Sequence, residues 1–94
     1  MNAQDYENRV RNLGCIVCRE LGLGATPASI HHIESIRDGL SDYAIVPLCY
    51  EHHQGKTGVH GLSRRGFEAR YKLSQIDLLA MVARELWINN GGQK

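Results

Sequence analysis

The sequence predicts a small α+β domain stapled by metal, and three observations lead there. Cysteine and histidine occur as two short-spaced pairs, Cys15-x2-Cys18 and Cys49-x2-His52. Two brief strand-prone runs, Ile30 to Ile33 and Tyr43 to Val46, flank turn material at Gly39, Ser41 and Asp42. Apolar residues recur at helical spacing at both ends of the chain.

Taken in order, the elements follow from local pattern. A first helix is expected over 4–13, where Tyr6, Val10 and Leu13 fall at i, i+4 and i+7, and Gly14 stops it. Cys15 and Cys18 then sit in a tight turn. The run Gly22-Leu23-Gly24-Ala25-Thr26-Pro27-Ala28-Ser29 is loop by composition. After the two strands, a short helix from Cys49 to Gln54 should end at Gly55, and Gly58 and Gly61 predict an irregular stretch. One helix over 66–73 and another capped by Ser74, with Asp77 three residues on, close the chain. On that last helix Ile76, Leu79, Ala80, Ala83, Leu86 and Trp87 make an apolar stripe expected to face the core.

A length of 94 residues suits one domain, with a metal-binding core at 15–60 and C-terminal helices at about 66–88. So short a chain builds a limited core, which a metal staple supplements. Hydrophobic content of 43% and charged content of 22% are those of a globular protein, not a disordered one. No apolar run approaches the ~20 residues of a membrane helix. The start, Met1 to Tyr6, lacks the basic and apolar segments of a signal peptide. Three cysteines are an odd number, which argues against a disulfide framework and for metal binding in a reducing, intracellular compartment.

Net charge is only +1, but it is unevenly spread. Residues 1–55 carry seven acids and four bases, whereas residues 56–94 carry seven bases and three acids. Lys56, Arg64, Arg65, Arg70 and Lys72 crowd one stretch opposed only by Glu68. Such a stretch suits either a solvated helix face or a patch against an anionic backbone.

Structural zinc is tetrahedral and is held by two ligand pairs, each spanning a short turn. Cys15-x2-Cys18 and Cys49-x2-His52 have that spacing, the second at the junction of a strand and a helix, and this two-knuckle layout is a treble clef. A redox dithiol would need a thioredoxin-like strand–helix context that is absent around Cys15. The DNA-reading zinc finger fails on spacing. Twelve residues separate Cys18 from His31, but no second histidine follows three to five residues later, and Pro27 interrupts the recognition helix.

The remaining histidines come as neighbours. On a strand, His31 and His32 point to opposite sides, so they serve different roles. On a helix, His52 and His53 diverge by about 100°, one toward the cysteines and the other toward the hairpin.

The run from Cys15 to His60 resembles the HNH (ββα-metal) nucleases, which share the Cys-x2-Cys knuckle, the His-His strand and the Pro47-Leu48-Cys49-x2-His52-His53 element. The stretch Ile30 to Tyr71, with His53-Gln54-Gly55, Gly58-Val59-His60 and Gly66-Phe67-Glu68-Ala69-Arg70-Tyr71, looks most like the phage recombination-enhancement nucleases, which cut DNA where a recombinase filament has formed. The resemblance implies His31, His53 and His60 as ligands of a catalytic divalent metal (Mg, Mn, Ni or Zn) and His32 as the general base. It implies Cys15, Cys18, Cys49 and His52 as ligands of a structural zinc, with His52 replacing the more usual cysteine. The family's middle asparagine has no counterpart, and Asp42 is the nearest polar residue to orient His32. Lys56, Arg64, Arg65, Arg70 and Lys72 become candidate phosphate contacts that position DNA without reading its sequence.

The expected function is therefore an HNH endonuclease hydrolysing DNA with little sequence preference. The expected setting is the cytoplasm of a bacterial host, with a phage or prophage origin. A neutral imidazole takes a proton from water at physiological pH, and a divalent metal stabilises the phosphodiester transition state. One such site nicks one strand, so a double-strand break requires a dimer or two events on a monomer. The alternative is a non-catalytic treble-clef module that binds DNA or a protein partner through its structural zinc alone.

Overall fold

The structure, a computed structural model, describes residues 2–34 and 36–89. Helix α1 (Ala3–Arg11) opens with a reciprocal cap: the Asp5 N–H donates to the Asn2 side chain at 3.0 Å and the Asn2 N–H to Asp5 at 3.2 Å. It ends two residues earlier than expected. Leu13 lies beyond it yet stays buried beside Val10. Gly14, at φ +78°, turns the chain so that the Cys15 N–H reaches the Thr26 carbonyl at 2.8 Å.

Where a tight turn was expected at the first cysteine pair, the chain forms a short helix, α2 (Ile16–Glu20). Cys15 is its cap, and its sulfur accepts the Cys18 N–H at 3.4 Å. The sulfur thereby takes the place that a serine or aspartate oxygen holds at most helix starts. The pair's spacing fits both a metal knuckle and a helix start.

Strands β1 (Ser29–His32) and β2 (Ile45–Leu48) pair antiparallel, with Ser29 opposite Leu48 and His32 opposite Ile45. A 3-10 turn at Ser41–Tyr43 takes Tyr43 out of the second strand, so β2 begins two residues later than the composition suggests. Pro47 is accepted because each strand of a two-stranded sheet has one unpaired edge. Helix α3 (Tyr50–His53) follows directly, with Cys49 at its cap.

The stretch around Gly58 and Gly61 corrects an expectation: it is helical. Helix α4 (Val59–Tyr71) starts there and is kinked at Ser63, which has φ 68° and ψ 167°. The Ser63 hydroxyl accepts the Gly66 N–H at 3.4 Å and caps the second part of the helix. The glycines serve close approach. A Cβ on Gly58 would lie 2.4 Å from the Glu51 carbonyl oxygen, and one on Gly61 would lie 2.2 Å from that of Gly55.

Helix α5 (Gln75–Asn89) begins at the expected box, with the Ser74 N–H to Asp77 at 2.9 Å and the Asp77 N–H to Ser74 at 3.0 Å. Its buried face, however, is not the expected stripe. Leu78, Met81 and Val82 are buried and Leu79 and Leu86 partly so, while Ile76 is 72% and Trp87 62% exposed and Ala80 and Ala83 face solvent. Contact with α1, α2 and β2 sets this phase, and Arg19 of α2 reaches Glu85 at 3.2 Å on the same side.

The core gathers Val10, Leu13, Ile16, Val17, Val46, Leu48, Phe67, Leu78 and Val82 between the hairpin and the helices. The result is a small α+β fold of treble-clef-like arrangement: a knuckle, a hairpin, and a helix springing from the second strand. Among the described residues, no helix is long and apolar enough to cross a membrane.

Candidate functional site

Two clusters of metal-ligating side chains meet at α3. The first joins Cys15 at the cap of α2, Cys18 one turn on, Cys49 at the end of β2 and His52 on α3, all buried. His52 Nδ1 lies 3.5, 3.6 and 3.2 Å from the sulfurs of Cys15, Cys18 and Cys49, and the Cys18 and Cys49 sulfurs are 3.8 Å apart. Around a tetrahedral ion with bonds of about 2.3 Å to sulfur and about 2.0 Å to nitrogen, neighbouring donors sit about 3.8 Å (S···S) and about 3.5 Å (S···N) apart. These separations are the edges of such a tetrahedron. All three cysteines are free thiols.

Electrostatics point the same way. Burial pushes the Cys15 thiol up to about 12, partly offset by the N–H groups of Cys18 and Cys49, so a bare thiolate there is costly. Burial also lowers His52, which keeps its ring neutral. A divalent cation held by these four residues would take the place of the thiol protons and satisfy the buried donors. The residues fit a structural zinc.

The second cluster is His31, His53 and His60, whose ligand atoms lie within 4.8 Å of one another. The ring centroids are 5.2 Å apart for His31–His53, 5.5 Å for His31–His60 and 4.9 Å for His53–His60. His31 and His53 are buried, and His60 is exposed. Burial first, then the charges of His53, His60 and His32, lower His31 to about 4, and burial lowers His53 as well. His31 and His53 are thus held toward the neutral form, the form in which an imidazole ligates a metal. Three imidazoles, one of them exposed, could hold an ion and leave one side of it open. A small cleft on that open side is lined by His31, Glu34, Val59, His60, Arg64 and Gln75.

The loop that leads into His60 at the start of α4 is fastened from several directions. Glu51 accepts the N–H of Thr57 at 3.0 Å and also its hydroxyl, which holds the Glu51 carboxyl below its ordinary value. The Tyr71 hydroxyl donates to the Thr57 carbonyl at 2.8 Å, while the Tyr71 ring meets His52 edge-on at 5.4 Å. Tyr71 therefore ties the loop of one cluster to a ligand of the other. Tyr71 closes the Gly66–Tyr71 run that carries the family resemblance, but nothing in the sequence gave it this role. Glu34, at the cleft, was likewise not singled out.

His32 is exposed at the end of β1, near enough for its charge to be felt at His31. Asp42 lies exposed on the 3-10 turn, and among the described residues no hydrogen bond joins it to His32. Lys56, Arg64, Arg65, Arg70 and Lys72 are all exposed. Of these, Arg64 reaches the histidine cleft, whereas Arg70 lies over the Tyr71 ring at 5.6 Å.

Knuckle, hairpin and two metal-ready clusters define a metal-binding treble-clef-like domain. More particularly, the chain belongs to the recombination-enhancement, RecA-dependent nuclease family, whose sequence model matches residues 2–86. It is thus a nuclease associated with recombination, and its substrate is DNA. No curated protein matches the chain significantly.

Proposed function

We propose that this nuclease is a metal-dependent HNH endonuclease that cuts DNA with little sequence preference beside a recombinase filament. The observation that carries the reading is the three-histidine cluster, two of whose members, His31 and His60, line a cleft, with His32 exposed next to buried His31. In this reading His31, His53 and His60 hold a divalent cation, and Cys15, Cys18, Cys49 and His52 hold a structural zinc. When bound, the catalytic cation (Mg, Mn, Ni or Zn) supplies Lewis-acid stabilisation of the charge that develops on the phosphate and leaving oxygen.

The chain's own residues do the rest. His32 accepts the proton of the attacking water, its exposure giving it access to substrate. The Arg64 guanidinium, at the cleft, grips the phosphate. Lys56, Arg65, Arg70 and Lys72 contact neighbouring phosphates and fix the strand without reading bases. Asp42 does not hold His32 by a direct hydrogen bond, so the strand backbone and the packing of His31 set the base's orientation.

The test is cleavage of plasmid and single-stranded DNA across the four metals, with and without a recombinase filament, beside His32→Ala. Removal of a general base should slow cutting by about 10²- to 10⁴-fold. Folding and DNA binding should be retained. A folded, zinc-loaded protein that cuts under none of these conditions overturns the proposal, and a variant that cuts normally removes His32 from the mechanism.

A further inference from the structure

Ser29 opens β1 two residues before His31 and pairs with Leu48 in the hairpin register. Its hydroxyl makes two contacts. It donates to the Leu48 carbonyl at 3.3 Å and lies 2.9 Å from Nδ1 of His53. A hydroxyl has one hydrogen to give, and a carbonyl oxygen can only accept. Both contacts stand as hydrogen bonds only when that hydrogen lies on Leu48 and His53 donates its Nδ1–H to the Ser29 oxygen; a hydroxyl hydrogen turned to His53 would forfeit the Leu48 contact. An imidazole protonated at Nδ1 keeps its lone pair at Nε2.

We infer that Ser29 is a positioning residue for the three-histidine site: it fixes His53 as the Nδ1–H tautomer and so reserves Nε2 for the cation. The inference rests on the metal-dependent reading above. Ligating histidines characteristically donate their second ring N–H to a carboxylate, carbonyl or water, and this outer contact sets ring orientation and basicity. Here a serine takes that role, and the strand register sets its position. The chain of contacts runs from the Leu48 carbonyl through Ser29 to His53, across the residues that join the hairpin to α3. The cation's partner is thereby aligned before any cation arrives.

Two readouts independent of cleavage test this. In 15N-labelled protein with zinc at the cysteine cluster and the histidine cluster free, long-range 1H–15N correlation should show His53 protonated at Nδ1. Titration with Co2+ should show that Ser29→Ala lowers affinity by about 10- to 100-fold, as loss of an outer-shell partner does elsewhere. Ser29→Thr, which keeps the hydroxyl, should restore it. A His53 protonated at Nε2 in the unaltered protein overturns the inference even if Ser29→Ala fails to fold. So does Ser29→Ala binding Co2+ as tightly as the parent. An unaltered protein that binds no Co2+ beyond the cysteine cluster overturns the catalytic-metal reading as well, which separates the two failures.

Discussion

Burial and the charges of His53, His60 and His32 hold the His31 imidazole neutral down to about 4. In the unfolded chain the same ring titrates near ~6.5. Between those values the unfolded state binds more protons, so stability is present above about 6.5 and is lost as pH falls toward 4. In protein with the histidine site free of metal, the Tm should fall over that window, and His31→Asn should make the fall shallower. A variant with an unchanged slope would remove His31 as its source. The residues that gather into the two clusters stood out in the sequence because their spacing is local: Cys-x2-Cys, Cys-x2-His and the two His-His pairs. Ser29 and Tyr71 did not. Their importance arises from partners 24 and 14 residues away in the chain, His53 and Thr57, which only the fold brings near.

Helix α5 shows why elements are harder to orient than to find. Its Ser74–Asp77 cap was readable, because a cap is a contact between residues three apart. Its inward face was not, because two apolar stripes share the helix. One is Ile76, Ala80, Ala83 and Trp87; the other is Leu78, Met81 and Val82. Both have helical period, and only contact with α1, α2 and β2 decides between them. Glycine misled in the same way. Gly58 and Gly61 suggested broken structure, whereas they let α4 begin with its backbone against that of Glu51 and of Gly55. Gly58→Ala would drive a methyl into the Glu51 carbonyl. Overpacking of this kind costs about 1–3 kcal/mol, so Tm should drop. Because the shift falls at the base of the His60 turn, calorimetry should also show weaker binding of a divalent cation at the histidine cluster. Unchanged Tm and affinity would mean that the turn yields freely.

At the scale of the molecule, the core is thin and the cysteine cluster ties α2, β2 and α3 together. Structural zinc in small domains contributes about 10–16 kcal/mol of apparent binding free energy. Chelation, or Cys49→Ser, should therefore abolish the helical circular dichroism signal and the cooperative melt. A chelated protein that still melts cooperatively would show that the apolar core suffices. The α+β class and the grouping of the cysteines and histidines could be foreseen, since residue spacing and strand-prone runs survive without tertiary knowledge. The kink at Ser63 and the coupling through Tyr71 could not.

His52 and His53 are adjacent on a single turn of α3, one turned to the sulfurs and the other to His31 and His60. One peptide unit thus belongs to both metal clusters. On the proposed mechanism this imposes an order of maturation. On that mechanism, a chain in which α3 has not formed would also lack the second cluster, because His53 would have no fixed place beside His31 and His60. Filling of the cysteine cluster would then come before assembly of the histidine cluster.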